Sequence, residues 1–403
     1  MLTFAYKARD IASNRIVKST VQAESEAEAG RLLMNRNLVP LDIVPEVNKK
    51  SVLSGIQNRI TTKDKVIFSR QLATLINAGL PLSQSLHTVQ EQTANKKLKA
   101  IVQEIITSVE GGRSLADSFS EHKIFDDLFI ALVAAGEVSG TLDKALERIA
   151  NQQEKDAEIA NKVRGAMVYP AIVLAVITGV IIFMLTTVVP QVENLYKSLN
   201  KELPLLTKLM VTSAHAMTKY WWILIIVIGL AGYFLRRYLS TPAGRKQIDT
   251  LKLNMPLFKD LFRKLYMARF ARTAEILIMS GVPMLEMLKI SANSSGNIPV
   301  KESILRAGEK VKTGKALSDS LKPEPYILPL IPQMVGIGEQ SGGIDTMLGK
   351  AATFYENEVD NAIKTISTAI EPILMVVLAV VAGGMVGAIL LPIYQLVGTN
   401  GTS

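Results

Sequence analysis

Carboxylates are the residues of this chain whose spacing could do chemistry. There is no cysteine, and the three histidines, His87, His122 and His215, stand far apart in no ligand-spaced motif. Disulfides, thiolate metal sites and cysteine nucleophiles are therefore excluded, and the histidines read as ordinary side chains. Glu154 and Glu158 lie four residues apart in a polar helical stretch and so share a face. Glu356 and Asp360, 202 residues further on, repeat the pair. Like charges at this spacing cost roughly 0.2–0.5 kcal/mol unless something compensates them. A hard cation such as Ca²⁺ bound by Glu154 and Glu158 is one compensator, and a lysine of a neighbouring subunit is another. A solvated helix face is the plainest reading. No cofactor is otherwise required.

A second carboxylate recurs between glycines. Glu137 stands in Gly136-Glu137-Val138-Ser139-Gly140, and Glu339 in Gly338-Glu339-Gln340-Ser341-Gly342. Such a group could bond the N–H groups of a turn or face a partner, since loop positions often carry function. Glu137, Ser139, Glu339 and Ser341 are thus the candidate partner-binding residues. No nucleophile–base pair and no phosphate loop of the Gly-x-x-x-x-Gly-Lys-Ser/Thr type is present, so no enzyme is expected.

The elements that position these groups are written twice. FSRQLATLINAGLPL from Phe68 matches FARTAEILIMSGVPM from Phe270. VEGGRSLADSF from Val109 matches VKTGKALSDSL from Val311, and AAGEVSGTLD from Ala134 matches GIGEQSGGID from Gly336. The offset is 202 throughout, without a gap, and Pro170 and Pro190 pair with Pro372 and Pro392. Apolar residues at helical spacing in each copy predict about six helices packed as antiparallel pairs. Turns are expected at Gly79, Gly112, Gly136, Gly140, Gly281, Gly314, Gly338 and Gly342, with Pro81 and Pro283 opening the helices that follow. Ser114 and Asp117 suit a capping box for a short helix. The first 50 residues differ in kind: LTFAYKA, RIVKSTVQA and LVPLDIVP alternate like strands, and Ser25-x-x-Glu28 opens a helix.

Of the 403 residues 48% are hydrophobic and 20% charged, and the apolar ones are concentrated in three runs. These are Val168–Val189, Trp221–Leu235 and Pro372–Leu396. The first and third have the roughly 20 residues a bilayer needs. The second is short, but Tyr220, Trp221 and Trp222 suit the interface, and Arg236 and Arg237 can snorkel. No ionisable side chain lies inside a span, as a proton or ion path would require. The stretch after the second span is rich in Arg and Lys, which places it in the cytoplasm. This accounts for the net charge of +9 without a nucleic-acid partner. Two like-oriented copies, each ending in a span, also need a return crossing, which the unpaired second run supplies. MLTFAYKARD lacks the apolar stretch of a secretory signal, so the start is expected in the cytoplasm. Cysteines placed at Ser118, Ser198 and Ser320 should label from outside only at Ser198.

The expected class is mainly α, membrane-embedded, with two tandem helical-bundle domains, three transmembrane helices and a small N-terminal α+β module. The expected boundaries are 1–50 for the module, 51–62 for a linker and 63–167 for the first helical domain. Spans follow at 168–189 and 220–236, separated by an outer loop at 190–219. The second helical domain takes 237–370, the third span 371–396 and an outer tail 397–403. Gly383 and Gly387 form a Gly-x-x-x-Gly that would let another helix approach closely within the membrane.

With its duplicated RQLATLINAGLPL and AAGEVSG stretches, its FAYKA start and its Tyr169-Pro170 and Glu371-Pro372 span entries, the chain resembles the F-protein family. These are inner-membrane platforms of type II secretion systems and type IV pilus assembly machines. The resemblance covers nearly the whole chain, and the length and N-terminal module are similar to the mannose-sensitive haemagglutinin-type pilus branch. It implies a multi-pass protein of the bacterial inner membrane, with both repeat domains cytoplasmic and the loop and tail periplasmic. The implied partners are a cytoplasmic hexameric ATPase, pilins or pseudopilins, other inner-membrane assembly proteins, lipid and further copies of the chain. Some family members bind Ca²⁺ in the first soluble domain, and Glu154 matches an acidic position of that site by its distance from Tyr169-Pro170. The other ligands do not map onto this sequence. The competing reading is a membrane transporter built on a tandem repeat, against which the uncharged spans weigh.

Overall fold

The computed structural model describes residues 2–10, 16–23, 26–34, 38–45, 59–198, 205–256 and 258–399. It divides into two compact units, one of residues up to Ile60 with Asn95–Lys97, and one of the rest. In the first, β1 (Leu2–Asp10) lies at the centre of an antiparallel sheet between β2 (Ile16–Ala23) and β3 (Leu38–Pro45). Helix α1 (Glu26–Met34) packs on β3, and Leu33 and Ala8 are fully buried. The pairing of β1 with β3 shifts between Lys7 and Ala8, where Ala8 meets Pro40, a residue with no N–H to donate. The sheet and helix are the α+β module read from the alternation. Ser25, the expected cap of α1, lies outside the described residues, as does residue 51–58 of the expected linker.

The second unit opens with α2 (Thr62–Asn77), whose capping box is complete: Thr61 Oγ1 accepts from Asp64 N, and Asp64 Oδ2 from Thr61 N. There follow α3 (Leu82–Gln92), α4 (Lys96–Glu110), α5 (Leu115–Ser120), α6 (Asp127–Ser139) and α7 (Leu142–Phe183). A π-helical turn (Met184–Val188) leads into α8 (Val189–Ser198). Then come α9 (Leu205–Ser240) and α10 (Pro242–Asn254). The second copy runs α11 (Lys259–Met279), α12 (Met284–Ser294), α13 (Ile298–Lys312), α14 (Leu317–Leu321), α15 (Leu330–Ser341) and α16 (Ile344–Thr399). Each copy thus holds six helices, and α12 and α13 repeat α3 and α4 to the residue at the offset of 202.

The turns form for the reason the sequence suggests. Gly79 has φ +83° and Gly281 φ +78°, backbone that a side chain would strain. The N–H three residues beyond each helix end then returns to the last turn, Leu80 N to Leu75 O and Val282 N to Leu277 O. Gly112, Gly140, Gly314 and Gly342 also have positive φ, whereas Gly136 and Gly338 lie inside α6 and α15 and form no turn. They are where the next helix crosses. A Cβ on Gly136 would fall 2.6 Å from Ala145 Cβ, and one on Gly338 2.6 Å from Ile344 Cα. The glycines are there for close approach, which a periodic pattern cannot distinguish from a turn.

The two cores are equivalent in place but not in filling. Phe68, Phe119, Phe125 and Phe129 make an aromatic cluster in the first copy, with centroids 4.5–6.3 Å apart. At 202 residues on, Phe270 remains, but Leu321, Ile327 and Ile331 replace the other three rings.

Among the described residues three helices are long and apolar enough to cross a membrane, within Leu142–Ser198, Thr218–Ser240 and Ile344–Gly384. Their apolar side chains face outward: Ile172, Phe183, Trp221, Ile228, Met375 and Val380 are all exposed. Helices α7 and α16 have 42 and 56 residues, so they extend about 63 and 84 Å, two to three times the hydrocarbon thickness. Each runs unbroken from the soluble bundle into the membrane, past Pro170 and Pro372. The stretch 190–219 is largely helical, taken up by α8 and the start of α9; residues 199–204 are not described. Leu185, Val189, Val211 and Ala214 hold the two together, and Glu193 Oε2 lies 2.8 Å from His215 Nε2. Helix α9 bends at Tyr220 (φ −116°, ψ 16°), where its apolar run begins.

Candidate functional site

The carboxylates singled out by spacing have partners inside the chain. Arg70, on α2, forks onto Glu154 of α7: Nε donates to Oε1 at 2.6 Å and Nη2 to Oε2 at 2.5 Å. Its Nη1 reaches Glu147 at 3.1 Å, and Asn77 donates to the other oxygen of Glu147 at 2.7 Å. The hydrogen bond to Glu154 raises the Arg70 pKa above its already high ordinary value. In the second copy Arg272 of α11 forks onto Glu356 of α16, both bonds at 2.8 Å. The bidentate arginine–carboxylate pair is the stronger geometry for such a contact. It ties the first helix of each bundle to the rod that enters the membrane. Neither arginine stood out in the sequence, although both lie at the common offset beside Phe68 and Phe270.

Glu137 and Glu339 are also spent within the fold. Glu137 accepts from the N–H groups of Leu115 and Ala116, at 2.8 and 3.1 Å, and so closes the start of α5. Glu339 accepts from Leu317 N at 2.6 Å and Ser318 N at 3.3 Å at the start of α14. A carboxylate at a helix start meets unsatisfied donors and the positive end of the helix dipole. The donors belong to a neighbouring helix and not to the glycine turn itself. Ser139 and Ser341 return their hydroxyls to their own helices, to Ala135 O and Ile337 O.

The copies meet along α7 and α16. Lys155 Nζ donates to Glu356 at 3.1 Å, and Lys162 Nζ to Asp360 at 2.7 Å and to Glu158 at 2.9 Å. Ile159, Val163 and Ala166 pack on Val359, Ile363 and Ile366 in an apolar strip that continues past these pairs. Contacts that advance together along both helices mean that they run parallel and nearly in register. The two spans therefore leave the bundle side by side in one direction. Beside this seam, Arg148 donates to Ser280 Oγ at 2.7 Å, Asn293 to Asp127 at 2.7 Å, and Arg269 approaches Asp156 at 3.5 Å. The lysines that offset Glu356 and Asp360 thus come from the other copy of the same chain, whereas Glu154 and Glu158 are offset by Arg70 and Lys162 of their own copy. Self-comparison does not single out Lys155, since Asn357 occupies the matching place, and although Lys162 recurs as Lys364 the recurrence does not say which carboxylate it meets.

Comparison with known proteins extends the duplication to a family. The model of type II secretion system protein F matches residues 68–190 and again 270–392, and that of its N-terminal domain residues 1–44. The chain belongs to the type II secretion system protein F family. It is 40% identical to a type IV pilus assembly protein PilC of Thermus thermophilus over 99% of both chains. It is 36% identical to the PilC of Pseudomonas aeruginosa over 87% of this chain and 95% of that one. It is 30% identical to a type II secretion system protein F of Vibrio cholerae over 98% of both. The family segments coincide with the two bundles and the rods that leave them.

The Ca²⁺ that the F-protein resemblance brings to Glu154 does not fit the arrangement of this chain. Both oxygens of Glu154 accept from Arg70, and Glu158 faces Lys162. A cation there would stand among guanidinium and ammonium groups. Among the described residues no three His, Asp or Glu side chains converge as metal ligands. Gly383 and Gly387 lie on α16, where a Cβ at either would meet nothing within 4 Å.

Proposed function

We propose that the chain is the inner-membrane platform of a type IV pilus or type II secretion assembly machine. In this reading it has no catalytic site. It couples a cytoplasmic ATPase to the extraction and polymerisation of pilin or pseudopilin subunits. The observation that carries the proposal is the pair of parallel rods: each soluble bundle is locked by an arginine fork to a helix that continues unbroken into the membrane. A displacement applied to the bundles reaches the bilayer without a flexible joint. Both bundles lie in the cytoplasm, α8 and the start of α9 in the periplasm, and the Gly383–Gly387 face meets a helix of a pilin or a further copy. The pilus branch is favoured by the 40% and 36% identities to the two PilC proteins, against 30% for the protein F of Vibrio cholerae.

The test is affinity capture of the tagged chain after cross-linking in its native cells, read by mass spectrometry. A secretion-type ATPase together with pilins is the expected result, and the identity of the pilins chooses the branch. Recovery of neither overturns the proposal and leaves the transporter reading to be measured by flux.

A further inference from the structure

The second copy differs from the first where α9 enters it. Helix α10 follows α9 after a single capped turn at Thr241, and it folds back closely enough that a Cβ on Gly244 would lie 2.2 Å from Tyr238 O. Tyr238 Oη donates to Gln247 Oε1 at 2.7 Å across the same corner. Between α10 and the α12–α13 junction lies a groove of about 370 Å³, lined by Leu239, Arg245, Asp249, Lys252, Asn297 and Lys301 among others. Three cations face one carboxylate. That carboxylate is occupied: Asp249 accepts from Lys252 at 2.9 Å and from Ile298 N at 3.1 Å. The start of α13 is likewise closed by Asn297, whose Oδ1 accepts from Val300 N at 3.2 Å. Among the described residues neither Arg245 nor Lys301 has a carboxylate partner.

The depth of the groove decides its ligand. The apolar run of α9 ends at Leu235, and Leu239 lies four residues beyond, about 6 Å along the axis. Arg245 Nε donates to Leu239 O at 3.4 Å, which holds the guanidinium at that level. The headgroup layer occupies roughly 5–8 Å outside the hydrocarbon on each face. Arg236 and Arg237 mark its inner edge. We infer that this groove is a binding site for the phosphate-bearing headgroup of an anionic phospholipid, which seats the second bundle against the membrane surface. Among the described residues the first copy has no counterpart, and no spanning helix enters it.

The experiment uses the full-length protein, delipidated in mild detergent and titrated with phosphatidylglycerol while bound lipids are counted by native mass spectrometry. The tightest phosphatidylglycerol should bind about tenfold more weakly to R245Q/K301Q. Single K301Q, which removes a side chain without an ion partner, should give a loss of a few-fold with an unchanged melting temperature. K312Q, on an exposed face outside the groove, should bind as the wild type does. Phosphatidylcholine should not occupy the step, and inorganic phosphate at the same concentration should not displace phosphatidylglycerol. Equal binding by R245Q/K301Q, equal binding of phosphatidylcholine, or an equal loss in K312Q overturns the inference. Displacement by inorganic phosphate overturns the lipid as ligand in favour of a small-anion site.

Discussion

At the scale of single residues, the duplicated carboxylates turn out to be structural anchors whose partners lie far away in sequence. Removing Glu137 or Glu339 orphans two backbone donors at a helix start, and Glu137→Ala should cost about 0.5–2 kcal/mol in a chemical-denaturation series. Glu137→Gln, which keeps an acceptor, should recover part of it. Arg272→Ala should destabilise more than Arg70→Ala, because its side chain is 15% exposed against 31% and its fork is less screened. One duplicated contact has changed sign between the copies. Glu104 faces His122 at 3.8 Å in the first, while Arg306 donates to Glu324 at 2.7 Å in the second, at the matching positions. Burial of Glu324 works to raise its pKa, but hydrogen bonds from Lys310 and Arg306 outweigh it and hold the carboxyl below its usual value. Stability from this group is fully present above the unfolded carboxylate pKa of about 4.3 and is lost as pH falls through the lower folded value. The melting temperature should therefore decline below that pH, and Glu324→Gln should flatten the decline while lowering the plateau at neutral pH.

At the scale of elements, helix ends and helix crossings make different demands on glycine. Gly140→Ala meets open space but a φ of +69°, whereas Gly338→Ala keeps a helical backbone and drives a Cβ to 2.6 Å from Ile344 Cα. The obstacle in the second case is backbone and cannot swing aside. Gly338→Ala should cost about 1–3 kcal/mol. Gly140→Ala should cost about 1 kcal/mol, so the order of their melting temperatures checks the distinction. The sequence showed that both glycines recur at the same offset, but recurrence is silent on which atoms stand opposite. The seam between copies follows the same logic. Its ion pairs are partly solvated, so Lys155→Ala should cost no more than about 1 kcal/mol. Ile363→Ala, in the apolar strip beside them, should cost about 2–4 kcal/mol.

At the scale of the whole molecule, the parallel rods bear on topology. Ser118 and Ser320 are buried within the bundles, so cysteines there would resist labelling from either side of a membrane. Gln84 and Glu286 occupy equivalent exposed places in the two copies, and Ser198 is exposed at the end of α8. With an impermeant maleimide on intact spheroplasts, Ser198→Cys should label, and Gln84→Cys and Glu286→Cys should label only after permeabilisation. Labelling of Glu286→Cys in intact spheroplasts would invert the proposed orientation of the second bundle. The amino-acid sequence by itself determined the duplication, the six helices of each copy, the alternating strands of the N-terminal module and the apolar runs. All of these are short-range or periodic features that the chain states locally. It also drew attention to the Glu154 pair, for which a solvated face and a compensating charge were both open. Only the tertiary structure decided that Arg70 and Arg272 grip the rods, that lysines of one copy neutralise carboxylates of the other, and that Arg245 and Lys301 share a groove at the end of α9. The contacts between copies join residues up to 201 positions apart and break the repeat. Neither helical period nor self-similarity carries information about which side chain of one copy stands against which of the other.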